Sequence, residues 1–147
     1  MANNLPLIQF HLNYPFSLKN RRLLKKHILQ LFEHEQKELE SLSYIFCSDE
    51  QLHKLNHQFL QHDTYTDILT FPLSVSPFPI IGEVYISIER IRDNASHLDL
   101  PFLHELIRVM FHGCLHLCGY KDKTSRQKAA MTLKEDFYLT IFLQGST

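Results

Sequence analysis

His112, His116, Gly119 and Asp122 follow one another at intervals of 4, 3 and 3 residues in the run FLHELIRVMFHGCLHLCGYKD, residues 102–122. Two imidazoles four positions apart on an α-helix point about 40° from each other, so both can reach one ion. Gly119 supplies a residue that tolerates the left-handed conformation at which helices end. The chain can then double back and return Asp122 as a third donor. Zn2+ accepts imidazole nitrogen and carboxylate oxygen, and three protein ligands with one open position is a catalytic rather than a structural arrangement. In a chain with ten histidines such a pair also arises by chance. The glycine and the carboxylate behind the pair are what argue for a site holding one zinc per chain.

The helix around this pair is apolar in nearly every direction, from Leu103, Leu106, Ile107, Val109, Met110 and Phe111 to Leu115 and Leu117. A helix of that kind is buried. One polar stripe interrupts it, Glu105, Arg108, His112 and His116, and the simplest place for such a stripe is the wall of a cleft. Metal-assisted hydrolysis of a phosphodiester or a peptide bond fits the ligand set. The spacing is also that of metzincin proteases, whose general base is a glutamate directly after the first histidine. Here that position is Gly113, which cannot accept a proton, so phosphodiester chemistry is the better match. Arg108, one turn before His112, is the nearest cation for charge developing on a phosphate. Glu105, two turns before, could orient a ligand histidine or move a proton. The plainer alternative for both is an Arg–Glu pair on an exposed helix edge. Cys114 and Cys118 are out of phase with the histidines and face the core as packing residues.

The elements that must position this helix are legible in outline. Alternation over Leu5 to Leu12 reads as a strand, and a helix follows from Ser17 or Asn20 to about Glu38. The first turns of that helix carry Lys19, Arg21, Arg22, Lys25 and Lys26, a solvated face that could touch phosphates. Leu42 to Cys47 is a second strand, and Ser48 with Gln51 has the form of a capping box opening a helix to about Phe59. A polar loop over Gln61 to Thr66 leads to a strand ending at Pro72, and Glu83 to Ile88 is a strand able to pair with it antiparallel. A helix from Ser87 or Ile88 to about His97 comes next, with Asp99 and Pro101 opening the histidine helix. The last helix begins at a second capping box, Thr124 and Gln127, and runs to about Leu143. Its apolar face is expected at Ala129, Ala130, Leu133, Phe137, Ile141 and Phe142. The expectation is an α+β domain spanning 1–147, with a mixed sheet of about four strands and helices packed mainly on one side.

At 147 residues, 44% hydrophobic and 21% charged, the composition is that of one folded domain rather than a disordered chain. A net charge of −1 gives no global basic field, so nucleic-acid binding must come from a local patch. Three cysteines without disulfide spacing fit a reducing compartment. No signal peptide or membrane span is readable, and a cytoplasmic location is the default expectation.

The segment HGCLHLCGYKD resembles the signature of the YbeY family of bacterial endoribonucleases, which usually reads HGxLHLxGYDH. The resemblance extends to LNHQFLQHDTYTDILTFPL at 55–73 and GEVYIS at 82–87. It implies a metal-dependent, single-strand-specific endoribonuclease of ribosomal RNA maturation and ribosome quality control, with ribosomal RNA, and the small ribosomal subunit and its proteins, as partners. The family's third metal-binding histidine falls on Asp122, Lys121 stands where an aspartate is usual, and Leu60 stands where an arginine is usual. A carboxylate in place of an imidazole weakens Lewis acidity, which leaves open a ribosome-binding assembly factor with weak or absent cleavage. Asn56, Thr66 and Asp67 match the family's upstream motifs and are expected near the cleft or in local backbone caps. Tyr65 and Phe78 are loop aromatics available for base stacking or for packing, whereas His57, His62, His97 and His104 have no spacing that recruits them.

Overall fold

A computed structural model describes residues 5–60 and 66–145. The elements run β1 (Leu7–Leu12), α1 (Arg21–His34), β2 (Leu39–Cys47), α2 (Asp49–Leu60), β3 (Ile68–Pro72), β4 (Ile80–Ser87), α3 (Ile88–Leu98), α4 (Phe102–Leu117) and α5 (Ser125–Gly145). His62, Tyr65 and the expected loop from Gln61, together with the Leu60 side chain, lie outside the described residues.

The strands form a mixed sheet in the order β1-β2-β4-β3. β1 and β4 run parallel to β2, and β3 pairs antiparallel with β4, as the adjacency of the two strands suggested. Alternation directs one set of residues to each face. Ile8, Leu42, Tyr44, Phe46, Val84 and Ile86 enter a core shared with α1, α3, α4 and α5, while Cys47 and Leu69 form a smaller cluster with Leu52 of α2. The four-stranded α+β arrangement with most helices on one side is therefore present. β2 and β4 begin at Leu39 and Ile80, earlier than the expected Leu42 and Glu83, because these two starts pair with each other. Both capping boxes form: Ser48 Oγ accepts from Gln51 N at 3.1 Å and Thr124 Oγ1 from Gln127 N at 3.1 Å. Asp99 was expected to open α4; instead it closes α3 at φ 54°, a conformation its short side chain tolerates, and Pro101 takes the N-cap of α4. Among the described residues no helix is long and apolar enough to cross a membrane.

α4 lies across β4, and two glycines set how closely. A Cβ on Gly82 would stand 2.6 Å from Leu117 Cδ1, and one on Gly113 would stand 3.0 Å from Val84 Cγ1 and 3.2 Å from Ile68 Cδ1. The Tyr44 hydroxyl, fully buried, donates to Met110 O at 2.9 Å and lies 3.0 Å from Cys114 Sγ, pinning the middle of the helix to the sheet centre. Burial pushes the Cys114 and Cys118 thiols up to about 12, in keeping with packing rather than ligation. Gly113 thus faces the sheet, not the cleft. Gly113→Glu, which restores the protease base by sequence position, is expected to cost more than about 3 kcal/mol of stability through overpacking and a buried charge, read by urea denaturation.

Of the apolar face expected on α5 only Phe142 is buried, and the helix otherwise turns a different side inward. Met131, Glu135, Tyr138, Leu139 and Phe142 point inward, whereas Ala129 and Ala130 are exposed, and Leu133, Phe137 and Ile141 are exposed at 71%, 45% and 38%. Apolar residues wrap this helix, so periodicity does not choose a face. The inward face is the one whose glutamate finds partners on α4.

Candidate metal centre

The C-terminal turn of α4 is closed by Gly119 N donating to His116 O at 3.0 Å and Tyr120 N to Leu115 O at 3.0 Å. Gly119 reverses the chain at φ 106°, open to glycine without strain. Asp122 is thereby carried back over the helix end. Its Oδ2 lies 3.3 Å from His112 Nε2 and 3.3 Å from His116 Nε2, with the two rings nearly perpendicular and their centroids 4.5 Å apart.

The other nitrogen of each ring is held from behind. His116 Nδ1 lies 2.9 Å from Tyr120 O, and His112 Nδ1 lies 2.5 Å from Glu135 Oε2. A carbonyl and a carboxylate can only accept, so each Nδ1 carries a proton, and each Nε2, once an ion displaces any proton there, directs its lone pair to the point it shares with Asp122. The three donor atoms lie within 4.8 Å of one another. Tetrahedral zinc with bonds of about 2.0–2.1 Å needs donors about 3.3–3.4 Å apart, and both Nε2–Oδ2 separations meet that requirement. The donor set fits a divalent ion of the zinc type. Burial pulls the His112 imidazole down, but Glu135 and Asp122 beside it leave it raised. An ion that displaces its proton therefore binds better as pH rises.

The polar stripe lines the cleft as expected, though its members pair differently. Glu105 and Arg108 do not form an ion pair on an exposed edge. Arg108 reaches across to α5, with Nη1 donating to Glu135 Oε1 at 3.2 Å and Nη2 to Asp136 Oδ1 at 2.7 Å. Glu105 is 5% exposed, and among the described residues its Oε1 has no hydrogen-bond partner. Asn94 donates to Glu105 and, at 3.3 Å, to Asp67 Oδ2. Burial and the neighbouring Asp67 push the Glu105 carboxyl up, and burial does the same to Asp67. Orienting a histidine, the role suggested for Glu105, is performed by Glu135. Sequence reasoning missed Glu135; the available signal was an acid in register with Met131, Tyr138 and Phe142.

His112, His116 and Asp122 open into a cleft of about 600 Å³ walled by Thr66 to Thr70 of the β3 edge. Thr66 spends its hydroxyl on Ile68 O at 3.3 Å, and Asn56 is buried apart from the cleft. His57 and His97 are exposed and remote from the cleft lining.

A second carboxylate was equally hidden. Glu35, directly after α1 and with its side chain 7% exposed, accepts from Tyr120 Oη at 2.7 Å, from Lys134 Nζ at 3.1 Å, and from Tyr138 Oη. It ties together the turn whose carbonyl orients His116 and the helix whose glutamate orients His112. Burial alone would raise its carboxyl, but the donors from Tyr138, Tyr120 and Lys134 outweigh that and hold it below the usual range. A carboxyl depressed in the folded state gives stability that is complete above its unfolded value and lost as pH falls through the folded one. Glu35→Gln is expected to cost about 2–3 kcal/mol at neutral pH, the deficit shrinking below about pH 4, by urea denaturation from pH 7 to 3.

The family model described as endoribonuclease YbeY matches residues 11–142. An endoribonuclease YbeY of Flavobacterium johnsoniae is 40% identical over 136 residues, covering 92% of this chain and 97% of its own. One from Amoebophilus asiaticus is 44% identical over 124 residues, covering 84% of each chain. Among solved structures, a Thermotoga maritima protein determined in solution superposes with a TM-score of 0.66 at 28% identity, covering 95% of this chain and 91% of that one.

Proposed function

Because the chain belongs to the endoribonuclease YbeY family, we propose that it is a zinc-dependent endoribonuclease that hydrolyses single-stranded RNA in ribosomal RNA maturation and ribosome quality control. It acts as a single domain in the cytoplasm, with the small ribosomal subunit and its proteins as partners. The observation that carries the metal part is the convergence of two back-held imidazoles and one carboxylate on a single point of the cleft.

His112, His116 and Asp122 would hold the ion, with Nε2, Nε2 and Oδ2 as the donor atoms. A divalent ion there supplies Lewis acidity, which lowers the pKa of water and polarises a phosphoryl oxygen. Glu135 and the Tyr120 carbonyl keep both histidines in the tautomer that ligation needs. Glu105, whose carboxyl burial and Asp67 push above the usual range, is the residue assigned to proton transfer. Arg108 supplies positive charge to the cleft wall while bridging Glu135 and Asp136.

Cleavage of a single-stranded ribosomal RNA fragment, by metal-stripped and zinc-restored protein and by His116→Ala, tests the reading. Activity that returns with zinc and is absent from His116→Ala supports it. Equal cleavage by stripped protein and by the variant overturns it.

A further inference from the structure

The cleft does not end at the three donors. Through Leu117 and Gly119 it joins a second hollow of about 380 Å³, between the β3–β4 connection (Ser74 to Phe78) and the turn after α1 (Gln36 to Glu38). Gly119 stands at the junction beside Leu117, and a Cβ built there would meet nothing within 4 Å, so the space over this residue is open. In the other direction, sharing Asp67, Ile68, His112 and Asp122, the cleft opens into a lobe of about 310 Å³ that Glu105, Arg108 and Glu135 also line. The three hollows make one trough with His112 and Asp122 at a seam.

The two ends of the trough differ in charge. The lobe presents Asp67, Glu105, Glu135 and Asp122 against Arg108 and His112, and the Arg108 guanidinium already serves Glu135 and Asp136. A phosphodiester chain entering it meets like charge. On the way to the far end the central cleft adds Lys121 and Lys123 beside Asp122, and the far end itself balances Lys37 against Glu38. There Phe78 is 69% exposed and Val75 73%. An exposed aromatic beside a lysine suits an unpaired base and its phosphate.

We infer that the trough holds single-stranded RNA asymmetrically: nucleotides on one side of the scissile phosphate pass over Gly119 to stack on Phe78 and pair with Lys37, while those on the other side gain no backbone contact. This rests on the endoribonuclease reading and adds to it a direction of substrate binding.

The test uses zinc-loaded protein and nuclease-resistant oligonucleotides with one cleavable linkage, lengthened a nucleotide at a time on either side. Lengthening on one side is expected to raise kcat/KM by about 10-fold or more, with little change on the other. Phe78→Ala should remove most of that gain. Lys37→Ala should lower the slope of log affinity against log salt by about 0.7. Neither variant should alter zinc stoichiometry or cleavage of the shortest substrate. Equal gains on both sides, or a full gain in Phe78→Ala, overturns the asymmetric trough and leaves the endoribonuclease reading standing. Failure to cleave any single-stranded RNA overturns both.

Discussion

Asp122→Ala is expected to lower zinc affinity by more than the about 10–100-fold that loss of an outer partner costs, because it removes one of three donors. Asp122 Oδ2 is the atom equidistant from both imidazole Nε2 atoms, 3.3 Å from each. Nothing else among the described residues completes a three-donor group with His112 and His116. Its side chain is 40% exposed and its ion pairs are made at the cleft surface, so the fold should survive the truncation. Asp122→His, which supplies the imidazole that the family signature carries there, is expected to retain binding. Competition with a chromophoric chelator measures both. Unchanged affinity in the alanine variant would remove Asp122 from the ligand set. The same variant separates the enzyme from a pure assembly factor: defective ribosomal RNA processing with the fold intact speaks for cleavage, and normal processing speaks for binding alone.

Glu135→Gln should have the next largest effect, on two readouts at once. The Glu135 side chain, 10% exposed, receives His112 Nδ1 on one oxygen and Arg108 Nη1 on the other. An amide can accept at only one of these positions and presents N–H at the other, against a ring N–H or a guanidinium. Zinc affinity is expected to fall about 10–100-fold as His112 loses its fixed tautomer and orientation. Metal-free stability is expected to fall by about 3 kcal/mol, since breaking one partner of a buried pair strands the other. Titration calorimetry and urea denaturation read the two separately. Lost stability with unchanged affinity would mean that packing alone orients His112.

The difference between what was legible and what was not follows from sequence distance. His112, His116, Gly119 and Asp122 lie within one helix and one turn, so ideal helix geometry sufficed to bring them together. Strands β1 and β4 were legible because alternation marks a half-buried sheet, and the starts of α2 and α5 because the capping hydroxyls of Ser48 and Thr124 act three residues away. Glu135 and Glu35 act on residues far along the chain, Glu35 on Tyr120 and Tyr138. No local pattern encodes such a meeting. α5 failed for a related reason: with Leu133, Phe137 and Ile141 on one side and Met131, Tyr138 and Phe142 on another, only the partners of Glu135 decide which side turns inward.

β3 walls the cleft and, among the described residues, pairs only with β4, so one row of its backbone donors and acceptors is left open. Bare strand edges recruit strands from other molecules and seed aggregates. This one is five residues long, ends at Pro72, which offers no donor, and begins beside Asp67. Lys121 and Lys123 line the same cleft. Shortness, proline and charge together make a poor template for a foreign strand, so an edge left open beside the metal centre need not compromise the protein's solubility at high concentration.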